Sequence, residues 1–294
     1  MNPNKEKWIL LIVLSIIWGS SFILIKKSLE HYNPYAVGGL RVLIAGLLLL
    51  PIALKNIKKL PKNRLKWLIA AALTGNFIPM FLFPIAETQT SSIIAGIINS
   101  MMPIFVILVG AVLWKFETTK NQIIGVLVSF AGACILALGS GESGGLKMMP
   151  IALLLLATFS YAISTTTVKK KLGDISATLL SAFVFGIVLI IPSLIAVTFA
   201  GFFQDFDFSK EKLTGLGYVS LLSVVGTGLA MMLNYRLLKI SNPIFASTTT
   251  LLMPIVALGW GLLYGEEINL QQLVGGVVII AGLLFLRSKN KKLH

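Results

Sequence analysis

The chain of 294 residues is 56% apolar and only 12% charged, whereas soluble domains are about 45–50% apolar even with glycine counted and about 25% charged. Its net charge of +14 would by itself suggest nucleic acid or an anionic membrane surface as a partner, but so few charges could not cover the surface of soluble domains. One cysteine and two histidines exclude an internal disulfide and supply no zinc or haem ligand set, so we expect no metal and no cofactor.

Ten mostly apolar windows, bounded by charges or by proline and glycine, follow one another along the chain. They are Trp8–Ile25, Pro34–Leu54, Trp67–Ala86, Ser91–Trp114, Asn121–Leu138, Pro150–Val168, Ser176–Ala200, Leu213–Leu238, Pro243–Tyr264 and Leu270–Leu286. Each is near the roughly 20 residues that cross about 30 Å of hydrocarbon as a helix. Because lipid cannot satisfy a bare backbone, the windows predict an all-α integral membrane protein with ten transmembrane helices.

The basic residues predict the orientation of these helices, since lysine and arginine near span ends stay in the cytoplasm. Nineteen of the 25 fall on the face that holds both termini, five fall on the opposite face, and Arg41 lies inside a span. Both termini are therefore predicted to be cytoplasmic. Orientation accounts for the positive excess, and we expect no nucleic-acid partner.

The second half of the chain repeats the first at a shift of 143 to 151 residues. The matched pairs are Trp18 with Tyr161, Ser21 with Ser164, Met102-Pro103-Ile104 with Met253-Pro254-Ile255, Glu117 with Glu267, Gly125 with Gly275 and Gly132 with Gly282. Each half holds five helices, an odd number, so the second half enters the membrane from the opposite side. The repeat predicts two inverted five-helix units, residues 1–141 and 142–294, with a binding site near the midplane where they meet.

These residues, together with the run 18–22 (Trp-Gly-Ser-Ser-Phe), Arg41 and the run 265–267 (Gly-Glu-Glu), resemble the EamA-type members of the drug/metabolite transporter superfamily. The resemblance covers almost the whole chain. It implies a ten-helix inverted-repeat carrier of the bacterial inner (plasma) membrane, often an exporter of amino acids or other small metabolites, with a central cavity lined by helices 1, 3, 4, 6, 8 and 9. It does not imply a particular substrate.

Two prolines at matching positions predict kinks in helices 4 and 9. Pro103 and Pro254 each leave the carbonyl four residues earlier, on Asn99 and Thr250, without its helical partner. Polar side chains at such points favour a substrate-facing wall, with packed kinks as the alternative. Trp18 and Tyr161 lie in mid-span, each with a serine three residues on, and suit an amphipathic substrate, with ordinary helix packing as the alternative. Asn76 has a further alternative, which is to satisfy its own helix before Pro79. The cavity candidates are Trp18, Ser21, Asn76, Asn99, Tyr161, Ser164, Asn234, Tyr235 and Thr250.

Two charged residues have open roles. Arg41 lies inside helix 2, where a charge is costly, so it either attracts a carboxylate or phosphate from the cavity or ties a helix-end carbonyl or Glu87 in a structural or gating contact; we favour the second interpretation. Glu87, at the end of helix 3, is either a solvated helix-end charge or a proton carrier. Proton coupling, a facilitator and an exchanger all fit the sequence.

The combined pattern favours a secondary transporter that moves an amino acid or related amphipathic metabolite, in the export direction, by alternating access. Its expected partners are a small-molecule substrate and the lipid bilayer, and its oligomeric state, a monomer included, stays open. The alternatives are a membrane-embedded enzyme and a non-transporting membrane subunit. The enzyme is disfavoured because no paired carboxylates, histidine cluster or activated nucleophile lies in or beside a span.

Overall fold

The computed structural model describes residues 3–90, 92–138, 148–263 and 269–287, and within these ranges every regular element is helical. In chain order the main helices are α1 (Pro3–Leu29), α2 (Pro34–Lys55), α3 (Lys62–Glu87), α4 (Ser92–Asn99 continued by Met102–Trp114), α5 (Lys120–Leu138), α6 (Met148–Leu172), α7 (Ala177–Phe199), α8 (Lys210–Ile240), α9 (Pro243–Ser247 continued by Thr249–Leu263) and α10 (Leu270–Arg287). Each overlaps one predicted window. Seven of them (α1 to α4 and α6 to α8) are long and apolar enough to cross a membrane, and the apolar stretches of α5, α9 and α10 are shorter, at 10–17 residues.

The helices α4 and α9 are both interrupted, but only the break in α4 coincides with its predicted proline kink. In α4 the break is at residues 100–101, directly before Pro103. In α9 the break is at Thr248, whereas Pro254 lies inside the continuous segment Thr249–Leu263. Four successive hydroxyls explain the earlier break, because residues 247–250 each donate a hydrogen bond to the carbonyl three residues back and so tighten the turn.

Wide π-helical turns interrupt α3 and α8 at corresponding places. They span Leu73–Phe77 in α3 and Val224–Leu229 in α8, and their first residues are 151 positions apart, the same shift that relates Pro103 to Pro254. Such turns leave backbone carbonyls free of their usual helical partners and occur frequently at functional sites. Two further π turns, Val168–Leu172 and Val184–Leu189, lie at the end of α6 and within α7.

The helices α5 and α10 pack with their backbones close together. A Cβ added at Gly132 would lie 2.8 Å from the Gly275 carbonyl oxygen, and one added at Gly282 would lie 2.7 Å from the Gly125 carbonyl oxygen. Between these contacts, Ser129 Oγ donates a hydrogen bond to the Ile279 carbonyl at 3.0 Å. As the residue number increases along α5, the number of the contacting residue on α10 decreases. The two helices therefore run antiparallel, with their backbones close together.

Polar contacts connect neighbouring helix ends at each side of the bundle. On the side predicted to be cytoplasmic, Arg236 pairs with Glu6 and Arg64 pairs with Asp174. The Lys171 ammonium on the same side lies 5.1 Å from the Trp67 ring. On the other side, the Tyr32 hydroxyl donates to the Lys212 carbonyl and Asn33 donates to the Ala200 carbonyl. Residues assigned to one face by the charge pattern are thus neighbours in the structure.

Candidate functional site

A cavity of about 880 Å³, opening included, lies within the bundle. The helices α1, α3, α4, α6, α8 and α9 border it, as the resemblance implied, and α2 also contributes through Arg41. The cavity follows the irregular parts of the helices, since it touches both π turns through Gly75 and Gly226 and lies beside the breaks in α4 and α9. Irregular backbone at membrane depth is tolerated where it lines a cavity or is buried in protein.

Most of the candidates from the sequence line this cavity. They are Trp18, Ser21, Asn99, Tyr161, Ser164, Asn234, Tyr235 and Thr250. Asn76 does not line it; it is fully buried in the π turn of α3, next to the Tyr235 hydroxyl. Glu87 also lies outside the lining.

Several lining groups already have partners in the protein. Trp18 donates its indole N–H to the Gly226 carbonyl at 3.0 Å, a carbonyl within the π turn of α8. Ser21 and Thr250 donate to carbonyls of their own helices, as the packing alternative expected. Ser164 instead reaches from α6 to the Ala71 carbonyl of α3 at 2.9 Å. These side chains connect helix to helix or bond their own helix, and the three hydroxyl oxygens keep the capacity to accept a hydrogen bond.

Other buried polar groups have unused hydrogen-bonding capacity within the part of the chain that the structure describes. Asn99 directs its amide nitrogen to the Met253 sulfur at 3.3 Å, and its Oδ1 has no partner. The Tyr235 hydroxyl and the Asn76 amide are buried next to each other, and neither has any other partner among the described residues. Buried polar atoms without partners are rare in native proteins and often mark places where a ligand or water completes the network.

Arg41 is 6% exposed and lines the cavity. Its Nε donates a 2.8 Å hydrogen bond to the Thr227 hydroxyl, which in turn donates to the Leu222 carbonyl at 3.2 Å. No carboxylate among the described residues lies within 4.0 Å of the guanidinium. Among the described residues the hydrogen-bond partner of Arg41 is thus a hydroxyl on α8, neither a helix-end carbonyl nor Glu87, and Glu87 attracts the guanidinium only at longer range.

Glu87 has none of the solvent exposure that a solvated helix-end charge would have, so that interpretation is wrong. The start of α4 covers it, and Ser92 Oγ donates to its Oε2 at 3.0 Å. Its Oε1 has no hydrogen-bond partner among the described residues. Lys26 and Arg41 are near enough to attract the carboxylate, although neither forms a salt bridge with it.

Sequence reasoning missed two features of this site. Thr227, the partner of Arg41, lies in the short run 226–228 (Gly-Thr-Gly), whose two glycines in an apolar helix are the available signal. The lining also contains four methionines on four different helices, which are Met80, Met102, Met231 and Met253. Methionine is unbranched and polarizable, so such a wall adapts its shape to apolar groups of different outline.

The chain is similar to proteins named as transporters over nearly its whole length. It is 30% identical to the uncharacterised inner membrane transporter YedA of Escherichia coli, over 95% of this chain and 90% of that protein. It is 26% identical to an uncharacterised transporter of Archaeoglobus fulgidus, over 97% and 100% of the two chains. It is also 26% identical to a probable amino-acid metabolite efflux pump of Salmonella typhimurium, over 95% and 94%.

A solved crystal structure shares the fold, with a TM-score of 0.73 over 96% of both chains at 14% sequence identity. The model of the EamA-like transporter family matches residues 6–138 and again residues 148–288. The chain has the apolar helices of a multi-pass membrane protein and an internal cavity, and the family model matches it over most of its length. The chain belongs to the EamA-like transporter family.

Proposed function

We propose that the protein is a secondary transporter that carries a small organic metabolite, an amino acid or a related amphipathic compound, out of the cytoplasm by alternating access. The observation that carries this proposal is the cavity between the helices, which combines aromatic and thioether walls with Asn99 Oδ1, a buried polar atom without a partner among the described residues. One relative, named as a probable amino-acid metabolite efflux pump, supports the substrate class and the direction. Relatives named as transporters also favour transport over an enzymatic activity.

The proposed architecture is ten transmembrane helices in two inverted repeats, residues 1–141 and 142–294, whose boundary lies outside the described residues. The antiparallel approach of α5 and α10 supports it, because Gly125 with Gly282 and Gly132 with Gly275 are the same pair exchanged between halves. Ser129, which contacts Ile279, meets the position that matches its own at a shift of 150. Two-fold related units produce this pattern of exchanged contacts.

A second exchanged contact lies beside the cavity and suggests how the halves meet there. Ser21 of α1 lies against Gly226 of α8, and the matching Ser164 of α6 lies against Gly75 of α3. At both places a Cβ on the glycine would collide with the serine side chain. We propose that rocking of one repeat against the other alters these two contacts in opposite senses, which exposes the cavity to each side in turn.

We propose that the protein lies in the bacterial inner membrane with both termini in the cytoplasm. The relative from Escherichia coli is named as an inner membrane transporter. The distribution of nineteen basic residues against five supports the orientation. Coupling to protons through Glu87, and a monomeric state, stay predictions.

The test is flux in liposomes that contain the purified protein. Preloaded vesicles should release labelled amino acids or related amphipathic compounds from a panel faster than protein-free vesicles do. Trp18→Ala and Asn99→Ala should lower this flux, whereas the control Trp260→Ala, which removes a tryptophan outside the lining, should leave most of it. If no compound moves, or if both cavity variants behave like the control, the proposed function fails.

A further inference from the structure

We propose that the cavity selects monocarboxylates with an apolar body, and that Arg41 binds their carboxylate; this inference rests on the proposed function and deepens it. Among the described residues that line the cavity, Arg41 carries the formal charge. Glu87, the carboxylate that attracts Arg41, lies outside the lining and is covered by the start of α4, so the surface that a ligand contacts carries the positive charge and disfavours a cation.

The guanidinium of Arg41 is fixed by one hydrogen bond and has unused hydrogen-bond donors. Arginine has five N–H donors, and within the described part of the chain the Nε–H bond to Thr227 is the hydrogen bond that its side chain makes. The four N–H groups on the two Nη atoms are left for a ligand. A carboxylate accepts two parallel hydrogen bonds from such a group, with matched geometry and charge.

Thr227 acts as a positioning residue. Its hydroxyl hydrogen points to the Leu222 carbonyl, so its oxygen lone pairs face Arg41 and fix the plane of the guanidinium. The π turn of α8 makes this possible, because the accepting carbonyl is five residues before Thr227. A fixed guanidinium loses less side-chain freedom when a ligand binds than a free one would.

The rest of the cavity determines the body of the ligand. Trp18, Phe22, Phe83 and Tyr161 supply aromatic surface, and the lining methionines supply adaptable thioether surface. A single guanidinium matches a single negative charge, whereas a phosphate dianion would bring a second charge without a partner into a buried site. Asn99 Oδ1, buried without a partner in the described part of the chain, offers an acceptor for an N–H group of the ligand.

Three compounds with the same body test the charge preference. They are 3-phenylpropionate, the neutral 3-phenylpropanol and the cation 3-phenylpropylammonium, each added to purified full-length protein in detergent while the thermal unfolding midpoint is measured. Binding to the folded state raises this midpoint. We expect the carboxylate to raise it most, and Arg41→Gln to weaken carboxylate binding about tenfold or more while the neutral compound is unaffected. Arg41→Lys should restore part of the effect.

A second measurement needs no substrate. It tests the charge preference of the cavity even if none of the three compounds shifts the thermal unfolding midpoint. In a Cys134→Ala background, Thr165→Cys places a thiol in the cavity lining. We expect an anionic methanethiosulfonate reagent to label it faster than a cationic one, relative to their rates with a free thiol, and Arg41→Gln to lower this ratio about tenfold. If Arg41→Gln leaves the ratio unchanged, the inference fails.

The two proposals fail in different ways. A cavity that prefers the cationic reagent and the ammonium compound, in a protein that still carries flux in liposomes, overturns the carboxylate inference and leaves the transporter intact. Absence of flux for the whole panel overturns the transporter itself. If Arg41→Gln does not fold, the ranking of the three compounds with the unmodified protein decides: the carboxylate first supports the inference, and any other order overturns it.

Discussion

The approach of α5 to α10 provides a matched pair of substitutions on one helix. A Cβ at Gly275 would lie 2.5 Å from the Leu136 backbone nitrogen, and ordinary contacts begin at 3.4 Å, so the helices would have to separate by about 0.9 Å. Nothing lies within 4 Å of a Cβ at the neighbouring Gly276. Both changes to alanine gain the same helix propensity of about 1 kcal/mol.

The difference between the two variants isolates the backbone contact. Overpacking against backbone costs about 1–3 kcal/mol because no side-chain rotation relieves it. We expect Gly276→Ala to raise the thermal unfolding midpoint in detergent. The midpoint of Gly275→Ala should lie below that of Gly276→Ala by the overpacking cost, converted at about 2–4 °C per kcal/mol. Gly132→Ala should behave like Gly275→Ala. Equal shifts for Gly275→Ala and Gly276→Ala would refute the close antiparallel approach.

Three further outcomes follow from single contacts. Thr227→Val should cost about 1.5–3 kcal/mol, read as a lower thermal midpoint, since it leaves Arg41 Nε unsatisfied, and Thr227→Ser should restore it. Glu87→Gln should abolish any acceleration of flux by a pH gradient, with the exposed Glu30→Gln as control, and unchanged coupling would remove Glu87 as a proton carrier. A hydrogen bond from Arg64 holds the pKa of Asp174 below its ordinary 3.8, so this pair stabilises the fold above that pH and the stabilisation is lost as the pH falls through the lowered pKa. Asp174→Asn should therefore cost under about 1 kcal/mol, by the same amount at pH 5 and pH 8; a cost that differs between these two values would contradict this.

The apolar windows and polar candidates could be predicted because they depend on local sequence. Helices follow from long apolar runs, and a polar or aromatic side chain in mid-span, such as Asn99 or Trp18, has few places to go except the interior of the bundle. The repeat added the pairing of Ser21 with Ser164, whose equivalent contacts with Gly226 and Gly75 the structure then shows.

The remaining features depend on contacts between distant parts of the chain. The partner of Arg41 is 186 residues away on α8, and the two glycines beside Thr227 mark an unusual point in that helix without indicating a contact with Arg41. Glu87 ends a helix, a place that is ordinarily solvated, and its burial arises only because the start of α4 folds over it. The break in α9 lies at Thr248 and not at Pro254, because the hydroxyls of residues 247–250 bond the carbonyls three residues back and tighten the turn there.

Alternating access is tested most directly by labelling one cavity cysteine from each side of the membrane. In a Cys134→Ala background, Thr165→Cys lies in the cavity lining, and Thr158→Cys, two turns away on α6, is a fully buried control outside it. In right-side-out and inverted vesicles, a membrane-impermeant thiol reagent should label the Thr165→Cys thiol in both preparations and the Thr158→Cys thiol in neither. Labelling of the Thr165→Cys thiol from a single side only, or from neither side, would contradict a cavity that opens alternately to the two faces.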